Sequence, residues 1–308
     1  MHAFRFGVQL SRADNGPHWR SLVRKIEELG YSTVFLPDHF GDQLAPMVAL
    51  ATAAEATSSL RVGTLVLGND YRHPLVLAKE AATLDLLSEG RLELGIGAGW
   101  MTSDYDQSGI TLDPPATRVE RLAEAIAVMK TLWSGGGDFA GSHYRLTGAE
   151  GVPVPHRRPH PLLMVGGGSR GVLTVAGREA DIVGLNPRLA EGFVGPDTLS
   201  SIVPERYDRR VEWVRQAAGD RFEDIEIQGL TFFVRVGPDR DRVVEETAAM
   251  FRLPTDVAAE VPIALVGSVE EIAEALDARR RRWGMSYWVV HDTDIDAFAP
   301  VVAAVAGT

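Results

Sequence analysis

Short apolar runs rich in β-branched residues alternate along this chain with longer stretches whose apolar positions recur every three or four residues. These are the two periods of strand and helix. The strand-type runs are Phe4–Leu10, Thr33–Pro37, Arg61–Leu67, Leu92–Ile96, Leu162–Val165, Asp181–Leu185, Ile225–Val234 and Ser286–Val290. A helical pattern follows most of them. It is clearest over 116–133, where Val119, Leu122, Ala123, Ile126, Met129 and Trp133 make one apolar stripe and Arg118, Glu120, Arg121, Glu124 and Lys130 fall on the outward side. Pro17 after Gly16, Pro74 after His73, and the capping box Ser268-Val269-Glu270-Glu271 mark helix starts.

Near-continuous apolar strands that alternate with helices, with no two-residue hairpin turn between strands, predict a parallel sheet of the α/β class. Repetition about eight times favours a closed (β/α)8 TIM barrel over an open doubly wound sheet. The open sheet carries a glycine-rich turn after its first strand, whereas here Leu10 is followed by Ser11-Arg12-Ala13-Asp14-Asn15-Gly16. On this reading residues 1–308 form one barrel domain enlarged by loop insertions near 134–161, 187–204 and 236–264. Excess loop length at strand carboxyl ends makes a substrate-facing lid, so 134–161 and 187–204 are expected to set the substrate. Trp100, Phe139, Tyr144 and Phe193 are candidate walls of an apolar pocket.

Charge and composition narrow the function classes. The 308 residues hold 31 Lys+Arg against 42 Asp+Glu, a net −11, which argues against nucleic acid as a partner. The absence of cysteine excludes disulfides, thiolate metal sites and a cysteine nucleophile, and fits a cytoplasmic setting. Met1–Leu10 lacks a leader pattern and no run reaches the ~20 apolar residues of a bilayer span, so neither export nor membrane insertion is expected. The histidines form no helical i, i+4 pair for a metal; His156 and His160 are separated by Pro159.

The candidate chemistry sits where strands end. Asp38-His39 follows the second strand, at the mouth where barrel enzymes keep their working residues. Imidazole moves a proton near neutral pH, and an adjacent carboxylate fixes its tautomer; a turn cap and a packed polar residue are the plainer alternative. Gly95-Ile96-Gly97-Ala98-Gly99-Trp100 lets backbone approach a ligand. Gly166-Gly167-Gly168-Ser169-Arg170-Gly171 joins a strand to a helix start, an anion site of free N–H groups and helix dipole, in which Ser169 donates to a phosphate or caps the helix. Arg72 and His73, after the third strand, reach an anion at the same mouth or simply start a helix. Arg279-Arg280-Arg281-Arg282 reads as a solvated helix end.

Taken in order, several segments resemble the bacterial luciferase-like superfamily of flavin and deazaflavin barrels, in particular its oxidoreductases that use coenzyme F420. They are 30–39, 61–67 with Arg72-His73-Pro74, 78–85, 88–100, the glycines at 166–168, and 265–271. The resemblance implies a cofactor ring across the barrel mouth, backed by a bulge with a non-prolyl cis peptide that corresponds to Leu65–Val66. It implies that Gly97, Ala98 and Gly99 border the ring, that Gly167, Gly168 and Ser169 take the phosphate, and that His39, with Asp38 beside it, exchanges a proton during hydride transfer. The family's sugar-phosphate dehydrogenases place an acidic glutamate where this chain has Trp100, which speaks against that substrate. Arg72 and Arg170 are the expected contacts for the anionic cofactor tail. A reduced-FMN monooxygenase using dioxygen is the alternative within the superfamily, and a non-catalytic cofactor binder the alternative outside catalysis. Relatives of this kind are often homodimers acting on small molecules.

Overall fold

The computed structural model describes residues 2–189, 192 and 196–308. Its eight barrel strands are β1 (Arg5–Gln9), β2 (Thr33–Leu36), β3 (Arg61–Thr64), β4 (Leu92–Gly97), β5 (Leu162–Gly167), β6 (Ile182–Leu185), β7 (Glu226–Leu230) and β8 (Met285–His291). All pair in parallel in the order β3-β2-β1-β8-β7-β6-β5-β4, and a β3–β4 pairing closes the ring. The eight strands read from the sequence are therefore the eight staves. β2, β4 and β6 are buried along their whole length, as strands covered on both faces must be.

The flanking helices are α1 (Gly16–Glu28), α2 (Pro46–Ala56), α3 (Pro74–Leu87), α4 (Pro115–Trp133), α5 (Arg170–Glu179), α6 (Pro204–Ala218), α7 (Val269–Trp283) and α8 (Ile295–Val305). Prolines occupy the first turns of α1, α2, α3, α4 and α6, where no amide hydrogen is needed. The capping box at Ser268 forms with Glu271 and starts α7. On α4, Leu122, Ile126, Met129 and Trp133 turn inward as expected. Its polar side is not simply outward: Arg121 pairs with Asp70 and Asp113, and Glu124 accepts from the amides of Ser142, His143 and Tyr144.

Two departures from the sequence reading concern the insertions. Residues 134–161 leave the end of α4 and enter β5, so they begin and finish on the amino-terminal face, opposite the mouth. They fold as an antiparallel hairpin, Gly136–Ala140 with Arg145–Glu150, which climbs the outside of the barrel along α4. The run Ile225–Val234 is also two strands. After Leu230 the chain leaves the barrel, and Phe233–Val236 pairs in parallel with Ala264–Gly267 beside the helices Arg240–Phe251 and Thr255–Glu260. Arg279 differs too: it is buried, donating to Val261 and Ala264 carbonyls, while Arg280, Arg281 and Arg282 meet carboxylates. Among the described residues no helix is long and apolar enough to cross a membrane, and no group of three His, Asp or Glu is placed to hold a metal.

The barrel is closed from below by charge. Glu93 is fully buried and accepts from Arg5 at 2.5 Å, Arg61 at 2.6 Å and the Tyr287 hydroxyl at 2.9 Å. Arg5 also pairs with Glu226 and lies flat on the Tyr287 ring, 3.5 Å from its centroid. Burial alone would raise the Glu93 pKa, but the Arg5 and Arg61 charges outweigh it and hold it below the usual range. Above this floor Phe35, Leu65, Met164, Ile182, Tyr287 and Val289 fill the barrel.

Replacing Glu93 by Ala strips Arg61 of its counter-ion and leaves Arg5 with Glu226 alone, and should cost about 3–5 kcal/mol in chemical denaturation. A second prediction concerns acid. Glu27, at the end of α1, accepts from the amides of Ser58, Ser59 and Leu60 at 2.6–2.9 Å. Partial burial would raise its pKa, but these hydrogen bonds outweigh that effect and bring it to about 2. A depressed folded-state pKa stabilises the fold above the ordinary carboxylate value, an advantage lost as pH falls through about 2. The stability gap between wild type and Glu27→Ala should therefore be full at neutral pH and shrink from about pH 4.5 downward.

Candidate active site at the barrel mouth

The carboxyl ends of β2, β3, β4, β5 and β6 surround a cavity of about 260 Å³. Its floor is glycine and valine: Val66, Gly97, Ala98 and Gly99 on one side, Gly166, Gly167, Gly168 and Ser169 on the other. His39, Trp100, Arg118, Asn186 and Arg188 stand around it. The peptide between Leu65 and Val66 is cis, at the expected position, and the Leu65 carbonyl accepts from Gln9 at 3.0 Å. The Val66 side chain faces the glycines: a Cβ on Gly97 would lie 2.9 Å from a Val66 methyl. Side chains in these loops would fill the space, so glycine is what keeps the floor flat.

At the far end, β5 runs through Gly166-Gly167-Gly168 into α5. The Ser169 hydroxyl accepts from the Val172 amide at 3.4 Å, which caps the helix and leaves its own proton free to donate. The first amides of α5 have no intrahelical acceptor and point with the positive end of the helix dipole. Gly168 cannot carry a side chain, because a Cβ there would sit 2.5 Å from both the Asn186 and Pro187 carbonyl oxygens.

His39 is half-buried on the opposite rim, and its carboxylate partner is not the expected one. Nδ1 lies 2.6 Å from Oδ2 of Asp104, a residue 1% exposed on the short helix Thr102–Ser108. The other Asp104 oxygen accepts from the Phe40 amide, and the Tyr71 hydroxyl adds a third contact at 3.3 Å. Trp100 meets the imidazole edge-on, with ring centroids 5.7 Å apart. With Nδ1 engaged, Nε2 is the nitrogen left for the cavity that His39 lines.

Asp38 also lines the cavity, but its carboxylate is engaged elsewhere. Its two oxygens hold Arg72 bidentately at 2.6 and 3.0 Å, and one also accepts from the Gly68 amide. Asp38 therefore braces the loop after β3 and does not orient His39. Arg72 is neutralised in the same pair and is not among the cavity-lining side chains. Arg170 is exposed at the first turn of α5, outside the lining. The cations at the cavity itself are ones the sequence reading did not select: Arg188, exposed on the segment after β6, and Arg118, whose guanidinium donates to the Ala98 and Gly99 carbonyls. Of the expected pocket walls, Trp100 lines the cavity, Phe139 and Tyr144 lie on the outer hairpin, and Phe193 falls outside the described residues.

These features together fit a planar ring with a phosphate-bearing tail. A flat glycine floor backed by Val66 takes the ring. The Asn186 side-chain carboxamide stands at the cavity, where it can meet a ring edge or sugar, and the amino terminus of α5 is suited to an anion.

Comparison with known proteins agrees with that chemistry. A family model described as luciferase-like monooxygenase matches residues 1–286. The F420-dependent glucose-6-phosphate dehydrogenase of Amycolatopsis mediterranei is 28% identical, over 96% of this chain and 88% of that protein. Among solved structures, coenzyme F420-dependent tetrahydromethanopterin reductase from Methanopyrus kandleri superposes with a TM-score of 0.78 at 17% identity, covering 98% of this chain and 99% of that one. An F420-dependent secondary alcohol dehydrogenase in complex with an F420–acetone adduct superposes with a TM-score of 0.74 at 19% identity, over 99% of each chain. At these identities the structural matches establish the fold.

Proposed function

The chain belongs to the luciferase-like monooxygenase family, and on that premise we propose that it is a coenzyme F420-dependent oxidoreductase acting on a small organic carbonyl, alcohol or activated alkene. One observation carries the reading: a ring-sized cavity on a glycine floor, with an anion site at one end and a clamped imidazole at the other. The F420-dependent relative that aligns along nearly the whole chain supports this cofactor over FMN.

When bound, a deazaflavin supplies hydride transfer at a ring carbon without one-electron chemistry. Everything else falls to the protein. Val66 and the 97–99 backbone would support the ring, and the 166–169 loop with α5 would hold the phosphate. His39 gives or takes the substrate proton at Nε2. Asp104, acting through Nδ1, holds that ring in one orientation, and Trp100 blocks its rotation on the exposed side. Position and proton management are the levers such an enzyme has. Because Trp100 stands where the sugar-phosphate dehydrogenases resembled by this chain carry an acidic glutamate, the proposed substrate is less polar than a sugar phosphate.

The same reading includes a homodimer in the cytoplasm, with no role for nucleic acid. Exposed Val48 on α2 and Val76 and Leu87 on α3 are apolar surface that a second copy would cover.

Titration with F420 and FMN, followed by deazaflavin fluorescence and flavin absorbance, should show micromolar binding of F420 and a clear preference for it; binding of FMN alone would overturn the cofactor assignment. His39→Ala should lower kcat by roughly a hundred- to ten-thousand-fold with F420 affinity unchanged. Asp104→Asn should follow it in kcat, whereas Asp38→Asn should act on stability and leave the proton step intact. Unchanged turnover in His39→Ala removes the imidazole from the mechanism.

A further inference from the structure

Arg210, in the second turn of α6, is 3% exposed. Its guanidinium donates to the Ser201 carbonyl at 2.9 Å and, through Nε, to the Gly168 carbonyl at 3.4 Å, and it lies 4.7 Å from the Tyr207 ring centroid. Among the described residues no carboxylate pairs with it, and Arg206, a charge that acts on it, is of the same sign. Several inward arginines are balanced, Arg5 and Arg61 by Glu93, Arg72 by Asp38 and Arg121 by Asp70; Arg279, held by carbonyls alone, is buried like Arg210 but lies away from the cavity. A guanidinium keeps its charge in proteins, and an unbalanced buried charge is costly unless something else meets it.

We infer that Arg210 is the counter-charge of the anion site, holding a phosphate-bearing ligand from beneath the glycine loop. This rests on the assignment of the α5 amino terminus as the phosphate site. Two geometric features connect Arg210 to that site. Gly168 packs close to the Asn186 and Pro187 carbonyls, with no room for a Cβ, and its own carbonyl accepts from Arg210. The 168–169 peptide is not among the cis bonds, and a trans peptide points its N–H opposite to its C=O. With the Gly168 carbonyl turned down to Arg210, the Ser169 amide is turned the other way, on the side where Gly168 and Ser169 line the cavity. Arg210 therefore both orients a donor and adds a positive charge that solvent screens weakly. Burial lowers its pKa, as expected of a cation without an anion beside it. An acidic chain of net −11 thereby keeps a permanent positive spot where an anion must dock. Arg210 is a positioning residue, since it acts through Gly168 and touches no ligand.

The test compares F420 with its phosphate-free chromophore, deazariboflavin, by fluorescence titration of wild type, Arg210→Met and Arg210→Lys. Arg210→Met should weaken F420 by roughly tenfold or more while deazariboflavin binding holds within about twofold, and Arg210→Lys should recover most of the loss. Arg279→Met, at an equally buried guanidinium held by carbonyls away from the cavity, should lower stability without changing the preference for the phosphorylated ligand. Equal weakening of both ligands in Arg210→Met makes the residue a structural support and overturns the inference. Should that variant fail to fold, wild type decides alone. At ~0.5 M KCl, where screening acts within roughly 4–5 Å, the preference for F420 should persist; a preference abolished by salt belongs to exposed Arg170 and Arg188. If wild type binds neither ligand, the cofactor reading itself fails and takes this inference with it.

Discussion

Most of the barrel is referenced to one buried carboxylate. Glu93 on β4 gathers Arg5 from β1, Arg61 from β3 and Tyr287 from β8, and Arg5 extends the network to Glu226 on β7. Five of the eight staves are thus tied at their amino-terminal ends by charge-assisted hydrogen bonds whose geometry is fixed by planar guanidinium groups. An ion cluster of this kind is weak as a source of net stability but strict about arrangement, because each member is costly if left unpaired. It sets which residues of each strand face inward. The inward residues nearest the opposite end then include Gln9, Leu65 and Gly97, around the cavity.

Chemistry at the mouth depends on two carboxylates that are close in the fold and opposite in role. Asp38 is spent on Arg72 and the Gly68 amide, and so shapes the loop after β3. Asp104 meets no arginine or lysine among the described residues and instead holds His39. The first removes charge from the site and stiffens it. The second leaves a single imidazole nitrogen facing the cavity. At the other end of the same cavity the pattern reverses, with a cation, Arg210, that meets no carboxylate among the described residues and lies under a loop of glycines. The imidazole and the glycine loop are therefore set on opposite rims of one cavity.

Local pattern was enough to find the eight strands, the helix at 116–133, the capping box and the glycine loops, because each depends on residues within a few positions of one another. Asp104 was beyond that reach. It lies 65 positions from His39, and adjacency in sequence pointed to Asp38 in its place. Arg118 and Arg121 read as outward because amphipathic periodicity separates polar from apolar faces and carries no information about loops that cover the polar one. Arg210 was hidden for the same reason, an arginine on a helix being ordinarily a surface residue. The misplacement of 134–161 had a remedy in the sequence: an insertion that follows a helix and precedes a strand falls on the amino-terminal face of a barrel, whereas 187–204 follows a strand.

The central claim is that the glycine-floored cavity at the mouth holds a phosphorylated deazaflavin. Hydrogen–deuterium exchange of the protein with and without coenzyme F420 tests it most directly, since the amides involved are named. The account predicts added protection concentrated at 66–68, 97–100 and 168–172, with the amino-terminal ends of the strands around Glu93 unchanged. Protection confined to other segments, or none at saturating F420, would contradict it.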